Sequence, residues 1–501
     1  MTSETEAGKP GGLLRQFPRT FWVANVMELF ERGAYYGLNA LLGRYLTDRT
    51  GGALGFSEDE AGLLQSVVYA LTYVLPILGG ALADRYGYRR MLLAAFSFLA
   101  AGYFASGQVD AYGAVFAMLL VMATGAGLFK PIISGTIART TNERNSGFGF
   151  GVYYWTINLG ALVAPFVAGQ LRDRFDWSAV FTASSLYCAA MLLPTIFLYR
   201  DPPRPQNTKT LGQVLGGALD ALSDARFMLL IFIYSCFWIL YFQNFGTVLW
   251  YLRDFVDPAP VNAFFARQGL DFRFDAEHVT MINAGTIVLL QIAVSRIVRD
   301  VRPLPTMVAG ILIGSLGFLC LALSREAWVF ILGIAVFSIG EMTCHPKYLG
   351  YVGQIAPADR KANYMGYAFL YGVVGSLVGA NVGGEAYSAL LAPLKTDPHA
   401  AGPTLRWFWL VFAALGVATM LGLLAYDRLF GRDTPDTRRR AGRVVTAIYA
   451  ALLAGAPALL AWVWSARGAL PVKTAIQAGI MILLGAGGLA MLRRGRVRAG
   501  N

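Results

Sequence analysis

Glu28, Glu31 and Arg32 fall inside an apolar stretch that runs roughly from Thr20 to Leu46, and Tyr35, Tyr36 and Asn39 follow them. Counted from Glu28, these residues stand at offsets 0, 3, 4, 7, 8 and 11, which places most of them on one stripe of a helix. The stretch is long enough to cross a bilayer. Charges at membrane depth are costly and tend to mark a path for a solute or an ion. Glu28 and Arg32 can pair at i, i+4, which lowers the cost of burying either. Protonating a glutamate would release the arginine for a carboxylate ligand, so one stripe could couple a proton to a solute. The plainer alternative is an ion pair that only ties helices together. It leaves Glu31 and the two tyrosines without a task.

The elements that must position this stripe are legible in composition. The chain has 501 residues, 56% hydrophobic and only 14% charged, with a mean hydropathy of +0.51. A soluble domain carries about 25% charged residues. The deficit extends over nearly the whole length, so an all-α polytopic membrane protein is expected. Apolar stretches of spanning length occur at about 20–46, 60–83, 90–108, 111–138, 147–171, 178–199, 226–252, 277–298, 303–323, 327–354, 362–390, 406–427, 444–465 and 470–492, some fourteen helices. The 56 glycines suit close helix packing in a membrane. A net charge of +12 could indicate nucleic-acid binding, but the basic residues sit in short loops between apolar spans. Four cysteines, Cys188, Cys236, Cys320 and Cys344, lie apart inside spans and have no ligand spacing, so neither disulfides nor a metal site is expected.

Loop charge sets orientation. Arg85, Arg89 and Arg90 follow the second span, Arg139 and Arg144 the fourth, Arg438, Arg439, Arg440 and Arg443 the twelfth, and Arg493, Arg494, Arg496 and Arg498 the last. Every even-numbered span ends on a basic side, which predicts cytoplasmic termini and an inner (cytoplasmic) membrane location. The first twenty residues are polar, so no cleavable signal is expected. Residues 201–225, with Pro202, Pro203 and Pro205, read as a cytoplasmic linker between bundles of six helices at 1–200 and 226–430. Residues 431–443 read as a basic linker to an extra transmembrane hairpin at 444–501. The hairpin shows no buried charge cluster in sequence and reads as peripheral packing or a partner surface.

Gly80, Asp84, Arg85, Gly87 and Arg89, between the second and third spans, resemble the loop motif of the major facilitator superfamily. Gly87 would permit a tight turn, and Asp84 would help latch one conformation across the bundle interface. The pattern Glu28-x-x-Glu31-Arg32-x-x-Tyr35-Tyr36-Gly37 resembles the first-helix signature of the proton-dependent oligopeptide transporter family. Gly127, Lys130 and Pro131 resemble that family's buried-lysine motif. Tyr154, Trp155, Asn158 and Gly160 resemble its second signature. Tyr73, Phe237, Trp238, Gln243, Asn283, Glu341 and Pro346 also correspond, and the resemblance covers about residues 18–430.

What the resemblance implies is a polar cavity for di- and tripeptides. Arg32, Lys130, Tyr35, Tyr36 and Tyr73 would hold the peptide carboxylate. Asn158, Asn283 and Glu341 would hold its amino end, with Gln243 and Asn39 at the pocket. Glu28 and Glu31 would carry the proton. No cofactor is implied, the proton gradient being the driving force, and no enzymatic constellation is present. The partners are a small peptide or peptide-like solute and the lipid bilayer, without nucleic acid; a monomer is assumed. Lys130 reads alternatively as a snorkelling lysine, and Asn158 and Asn283 equally as interhelical glue.

The chain departs from the family in several places. Asn39 stands where a basic residue is usual, Phe242 where an acid usually precedes Gln243, Ala126 and Ile132 where asparagines flank the lysine, and Ala368 where an aromatic is expected. His345 and Lys347 replace apolar residues after Glu341. Glu341 and His345 are one helical turn apart and can pair, so His345 is a candidate for proton coupling or for an altered substrate pole. Packing in its own half-helix is the alternative. Besides a peptide symporter, the departures leave open a carrier for another solute with altered or absent proton coupling. A receptor or scaffold on a transporter fold is the alternative of another class.

Overall fold

The computed structural model describes residues 16–141, 146–202, 212–213, 222–276, 278–298, 300–356, 364, 367–396, 402–468 and 470–499. Among them, secondary structure is helical throughout apart from one isolated bridge, Asp257 with Glu326. The helices are α1 (Arg19–Thr47), α2 (Glu58–Tyr86), α3 (Tyr88–Ser106), α4 (Tyr112–Arg139), α5 (Ser146–Arg174), α6 (Trp177–Ala190), α7 (Leu192–Phe197), α8 (Ala225–Phe242), α9 (Thr247–Phe255) and α10 (Ala259–Arg267). They continue with α11 (His278–Ile297), α12 (Pro303–Leu323), α13 (Ala327–Ile355), α14 (Leu370–Leu390), α15 (Gly402–Phe430), α16 (Pro435–Arg467) and α17 (Val472–Ala499).

Eleven described helical segments are both long and apolar enough to cross a membrane. Three further helices of similar length, α1, α3 and α14, correspond to the remaining expected spans but are less apolar. The reason is in their sequences: α1 carries five charges, α3 opens on Arg89 and Arg90, and α14 is rich in glycine. The architecture is that of an all-α polytopic membrane protein. The seventh span is interrupted, because α8 passes into a 3-10 turn at Gln243–Phe245 before α9 resumes.

The chain divides into two compact units, Met1–Leu38 with Leu75–Thr208, and Asn39–Val74 with Lys209–Asn501. In the first, α3 and α4 cross closely: a Cβ on Gly102 would lie 2.7 Å from Met122 Cα, and one on Gly125 would lie 2.7 Å from Leu99 N. The same economy brings α2 to α4, where a Cβ on Gly79 would meet Gly127 O at 2.7 Å. Gly87, at φ 98°, makes the turn between α2 and α3. Only glycine adopts that region readily.

In the second unit, α12 packs on α13 through Gly310, Gly314, Gly317, Gly333 and Gly340. The second half of α1 and the first half of α2 pack here too. The Trp250 indole donates to Gly43 O at 3.1 Å, and Gln65 donates to Phe245 O at 2.8 Å. The hairpin α16–α17 leans on α8, where Tyr449 meets Phe232 edge-on at 5.4 Å. The hairpin also carries an ion pair that its sequence did not reveal: Lys473 reaches Asp59 at the start of α2 and lies 3.2 Å from Glu385 of α14.

Candidate functional site

Two groups of polar side chains stand out, one in each unit. In the first, α1 and α5 approach at glycines. A Cβ on Gly160 would lie 2.9 Å from the Arg32 Cβ, and one on Gly37 would lie 3.4 Å from Ala164 O. That contact seals Arg32 and the glutamates beside it: Glu28 is 1% exposed, Glu31 0% and Arg32 5%. Arg32 Nε donates to Glu31 Oε2 at 2.5 Å and lies 3.2 Å from Glu28 Oε1. Tyr153 hydrogen-bonds Glu28. Glu31 Oε1 has no hydrogen-bond partner among the described residues. The guanidinium carbon stands 5.1 Å from the Tyr35 ring centre and 5.9 Å from that of Tyr36. Lys130 Nζ stands 6.0 Å from the Tyr35 ring centre. Lys130, Tyr35 and Tyr36 are half-buried, while the two carboxylates are enclosed.

The chemistry follows from the charges. Two carboxylates and two cations balance when all are ionised. A proton taken by either glutamate leaves an excess positive charge beside the half-buried Lys130, which is an attraction for an anion. Asn158 takes no part in this exchange through its amide nitrogen, which donates to Tyr154 O of its own helix at 2.8 Å. Tyr154 and Trp155 are exposed.

In the second unit, Glu341 Oε2 accepts from Asn283 Nδ2 at 3.0 Å, and the same nitrogen lies 2.9 Å from Ser338 Oγ. The expected pair between Glu341 and His345 is not made. His345 Nδ1 is hydrogen-bonded instead to Tyr234 OH at 3.1 Å. Its ring is flanked by Trp238 at 5.3 Å and Tyr371 at 5.6 Å. The physical reason is that α8 brings a phenol to the imidazole, while Asn283 from α11 already occupies the carboxylate. Lys347 donates to Val301 O at 2.8 Å.

Asn39 and Gln243, expected at a ligand pocket, are both buried and hydrogen-bonded within the second unit. Asn39 Oδ1 accepts from Tyr69 OH at 2.6 Å. Gln243 is 1% exposed; its nitrogen donates to Ile239 O and Gly379 O, and its oxygen accepts from Thr247 at 2.8 Å. Those bonds hold the break between α8 and α9. Phe242 stacks on Tyr69 at 5.4 Å and meets Tyr73 edge-on at 6.2 Å, an apolar environment where an acid was expected.

Of the expected latch, Gly80 lies in α2 against Pro131, and Arg85 rests on the Tyr86 ring at 5.4 Å. The Arg89 backbone N–H donates to Asp201 at 2.7 Å and its Nε donates to Thr195 O at 3.1 Å, both in its own unit. The Asp84 side chain lies outside the described residues.

A third group was missed by sequence reasoning. Arg253 lies 2.7 Å from Asp48, 3.2 Å from Glu58 and 2.6 Å from Asp254. Lys395 pairs with Glu58 and lies 3.3 Å from Asp254. Arg44 links Asp48 and Asp275 at 3.0 and 2.5 Å. Burial pushes the Asp254 carboxyl up, but hydrogen bonding and charge from Arg253, with Lys395 and Tyr387, outweigh it and hold it below the usual 3.8. Of this group, Arg253, Asp254 and Asp275 belong to the stretch 253–276 between the seventh and eighth expected spans, which mixes acids and bases. Tyr153 and Tyr234 were also missed; Tyr234 and His345 are joined only by the tertiary fold.

Residues 21–380 match the family model of the Major Facilitator Superfamily. The chain belongs to the Major Facilitator Superfamily. This superfamily is one of transporters rather than enzymes. Curated relatives include an uncharacterized transporter, YclF, of Bacillus subtilis, 32% identical over 183 residues, 36% of this chain and 36% of the relative. A di-/tripeptide transporter of Lactococcus lactis is 28% identical over 222 residues, 42% of this chain and 43% of the relative. Dipeptide and tripeptide permease B of Salmonella typhimurium is 30% identical over 194 residues, 38% of each. The aligned stretch therefore spans well under half the length of these relatives. Among solved structures, a POT family transporter in complex with 5-aminolevulinic acid superposes with a TM-score of 0.68 at 20% identity, covering 83% of this chain and 99% of that one. Peptide transporter POT in complex with sulfate gives 0.68 at 19%, covering 82% and 94%. These similarities establish the superfamily fold and agree with the motif resemblance.

Proposed function

We propose that this chain is a proton-coupled symporter of di-/tripeptides or peptide-like amphoteric solutes, working by alternating access in a cytoplasmic membrane with both termini on the cytoplasmic side. The observation that carries the reading is Arg32 held between Glu28 and Glu31, with Lys130 and two tyrosines half-buried beside them. A solute carboxylate competes with the glutamates for Arg32, and a proton on Glu31 or Glu28 tips that competition. Lys130 adds charge for the same carboxylate. Glu341, oriented by Asn283, offers a carboxylate to a solute ammonium. The named relatives that carry di- and tripeptides support this substrate class.

A second reading is favoured by one specific observation. Phe242, packed on Tyr69 and Tyr73, removes an acid from the seventh span, and Asn39 removes a cation. A relative with altered coupling, carrying another amphoteric solute, fits those changes. Uptake of labelled dialanine into proteoliposomes separates the two. The symporter concentrates dialanine under an inward proton gradient and equilibrates it without one. Equal uptake in both conditions favours the second reading, and no uptake of dialanine at all rejects the peptide assignment.

A further inference from the structure

The hairpin α16–α17 is not needed to build either polar group, and its two ends differ in chemistry. Gly485 packs on Tyr449 and Leu453, and Gly455 on Met481, so the two helices run antiparallel in a fixed register. Carried to its ends, that register puts Arg443 level with Arg493. Arg439 and Arg494 lie beside them, and all four are exposed. Neighbouring acids are already engaged: Asp433 with Arg438 at 2.7 Å and Asp436 with Arg440 at 2.8 Å. Among the described residues, no acid is paired with Arg439, Arg443, Arg493 or Arg494.

Among the candidate spans of the described residues, those of the hairpin are the least covered by the rest of the protein. Only 17% and 22% of its two apolar windows are buried inside the protein, the lowest shares among the candidate spans. At its far end, Trp462 and Trp464 are 68% and 58% exposed, which suits the aromatic belt of a membrane interface. About twenty residues, hence about 30 Å of helix, separate them from Arg443. That is the thickness of the hydrocarbon core. The tryptophans at one interface therefore set Arg443 and Arg493 at the level of the lipid phosphates on the other. Guanidinium groups bind phosphate oxygens in bidentate fashion. Exposed like charges at one level of the hairpin, with no acid paired to them among the described residues, favour an anion there.

We propose that Arg443 and Arg493, flanked by Arg439 and Arg494, form a binding site for the phosphate headgroup of an anionic phospholipid. A general preference of basic loops for one membrane face requires no retained lipid, whereas this site does. The purified full chain in mixed micelles is offered dioctanoyl phosphatidylglycerol or dioctanoyl phosphatidylcholine, and retention is read by native mass spectrometry. The anionic lipid is retained at least about twenty-fivefold better than the zwitterionic one, and 10 mM inorganic phosphate does not displace it. Each arginine near an anionic surface is worth about fivefold, so R443Q/R493Q loses about twenty-fivefold while R443K/R493K keeps most of the preference. R439Q/R494Q, confined to exposed side chains, gives a loss of similar or smaller size and guards against misfolding of the first variant. Equal retention of the two lipids by the native chain, displacement by phosphate, or undiminished retention in both glutamine variants overturns the assignment.

Discussion

Replacing Arg253 by methionine removes the hub of the third charged group while keeping much of its apolar stem. In the native chain that guanidinium faces Asp48, Glu58 and Asp254 and also donates to Thr47 at 2.8 Å. Removing one partner of a buried ion pair costs about 3–5 kcal/mol, because the remaining charge stays desolvated. The Arg253 side chain is 16% exposed, and Lys395 remains on Glu58 and Asp254. The low end, about 3 kcal/mol, is therefore expected. For a large domain this corresponds to a fall in Tm of roughly 5 °C.

The pH dependence gives a sharper test. Asp254 has its folded pKa below 3.8, so its contribution in the native chain is present above that value and is lost only as pH falls through the depressed pKa. Between pH 7 and 5 this group leaves native stability flat. In R253M, burial of Asp254 is no longer opposed by the guanidinium, its folded pKa rises above the unfolded one, and stability is recovered as pH falls. Differential scanning fluorimetry in detergent at pH 7 and pH 5 reads both effects. A deficit at pH 7 that shrinks at pH 5 is the expected pattern. A deficit under 1 °C at pH 7, or one of the same size at both pH values, refutes the ionic-hub reasoning.

Further predictions concern the two polar groups. Glu341→Gln lowers the affinity for dialanine about 10- to 100-fold, the worth of a charge-assisted hydrogen bond, and barely affects competition by N-acetyl-dialanine; equal losses for both ligands would contradict the ammonium assignment. Gly160→Val abolishes uptake at normal membrane abundance, because its side chain must displace the Arg32 stem that a Cβ already meets at 2.9 Å; uptake within twofold of native would show that this contact does not set the site. His345→Gln shifts the pH profile of uptake if the imidazole takes part in coupling, and an unchanged profile removes it from that role.

The parts that sequence could read are those in which chemistry and spacing lie on one element. Glu28 and Arg32 are four residues apart on α1, and their 3.2 Å contact needs only a helix. Gly87 announces the turn before α3, and composition announces the long helices. Partners on different helices were legible only through the family resemblance, as for Lys130, or not at all. His345 could have met Glu341 one turn away, yet α8 delivers Tyr234 to it. Gln243 reads as a pocket residue in sequence only through the family resemblance. The structure spends both ends of its amide on holding a break that no periodicity marked. Arg253, Asp48, Glu58 and Lys395 carry no local signal, since nothing near any of them in sequence says that four distant segments converge.

The central claim is that the buried charges around Arg32 exchange a proton for a solute carboxylate. Proton entry can be followed with a pH-sensitive dye trapped in proteoliposomes while dialanine is added outside, in parallel with counterflow of labelled dialanine. The account predicts dialanine-driven acidification by the native chain, and loss of that acidification with counterflow retained in Glu31→Gln. Acidification that persists unchanged in both Glu31→Gln and Glu28→Gln would contradict it.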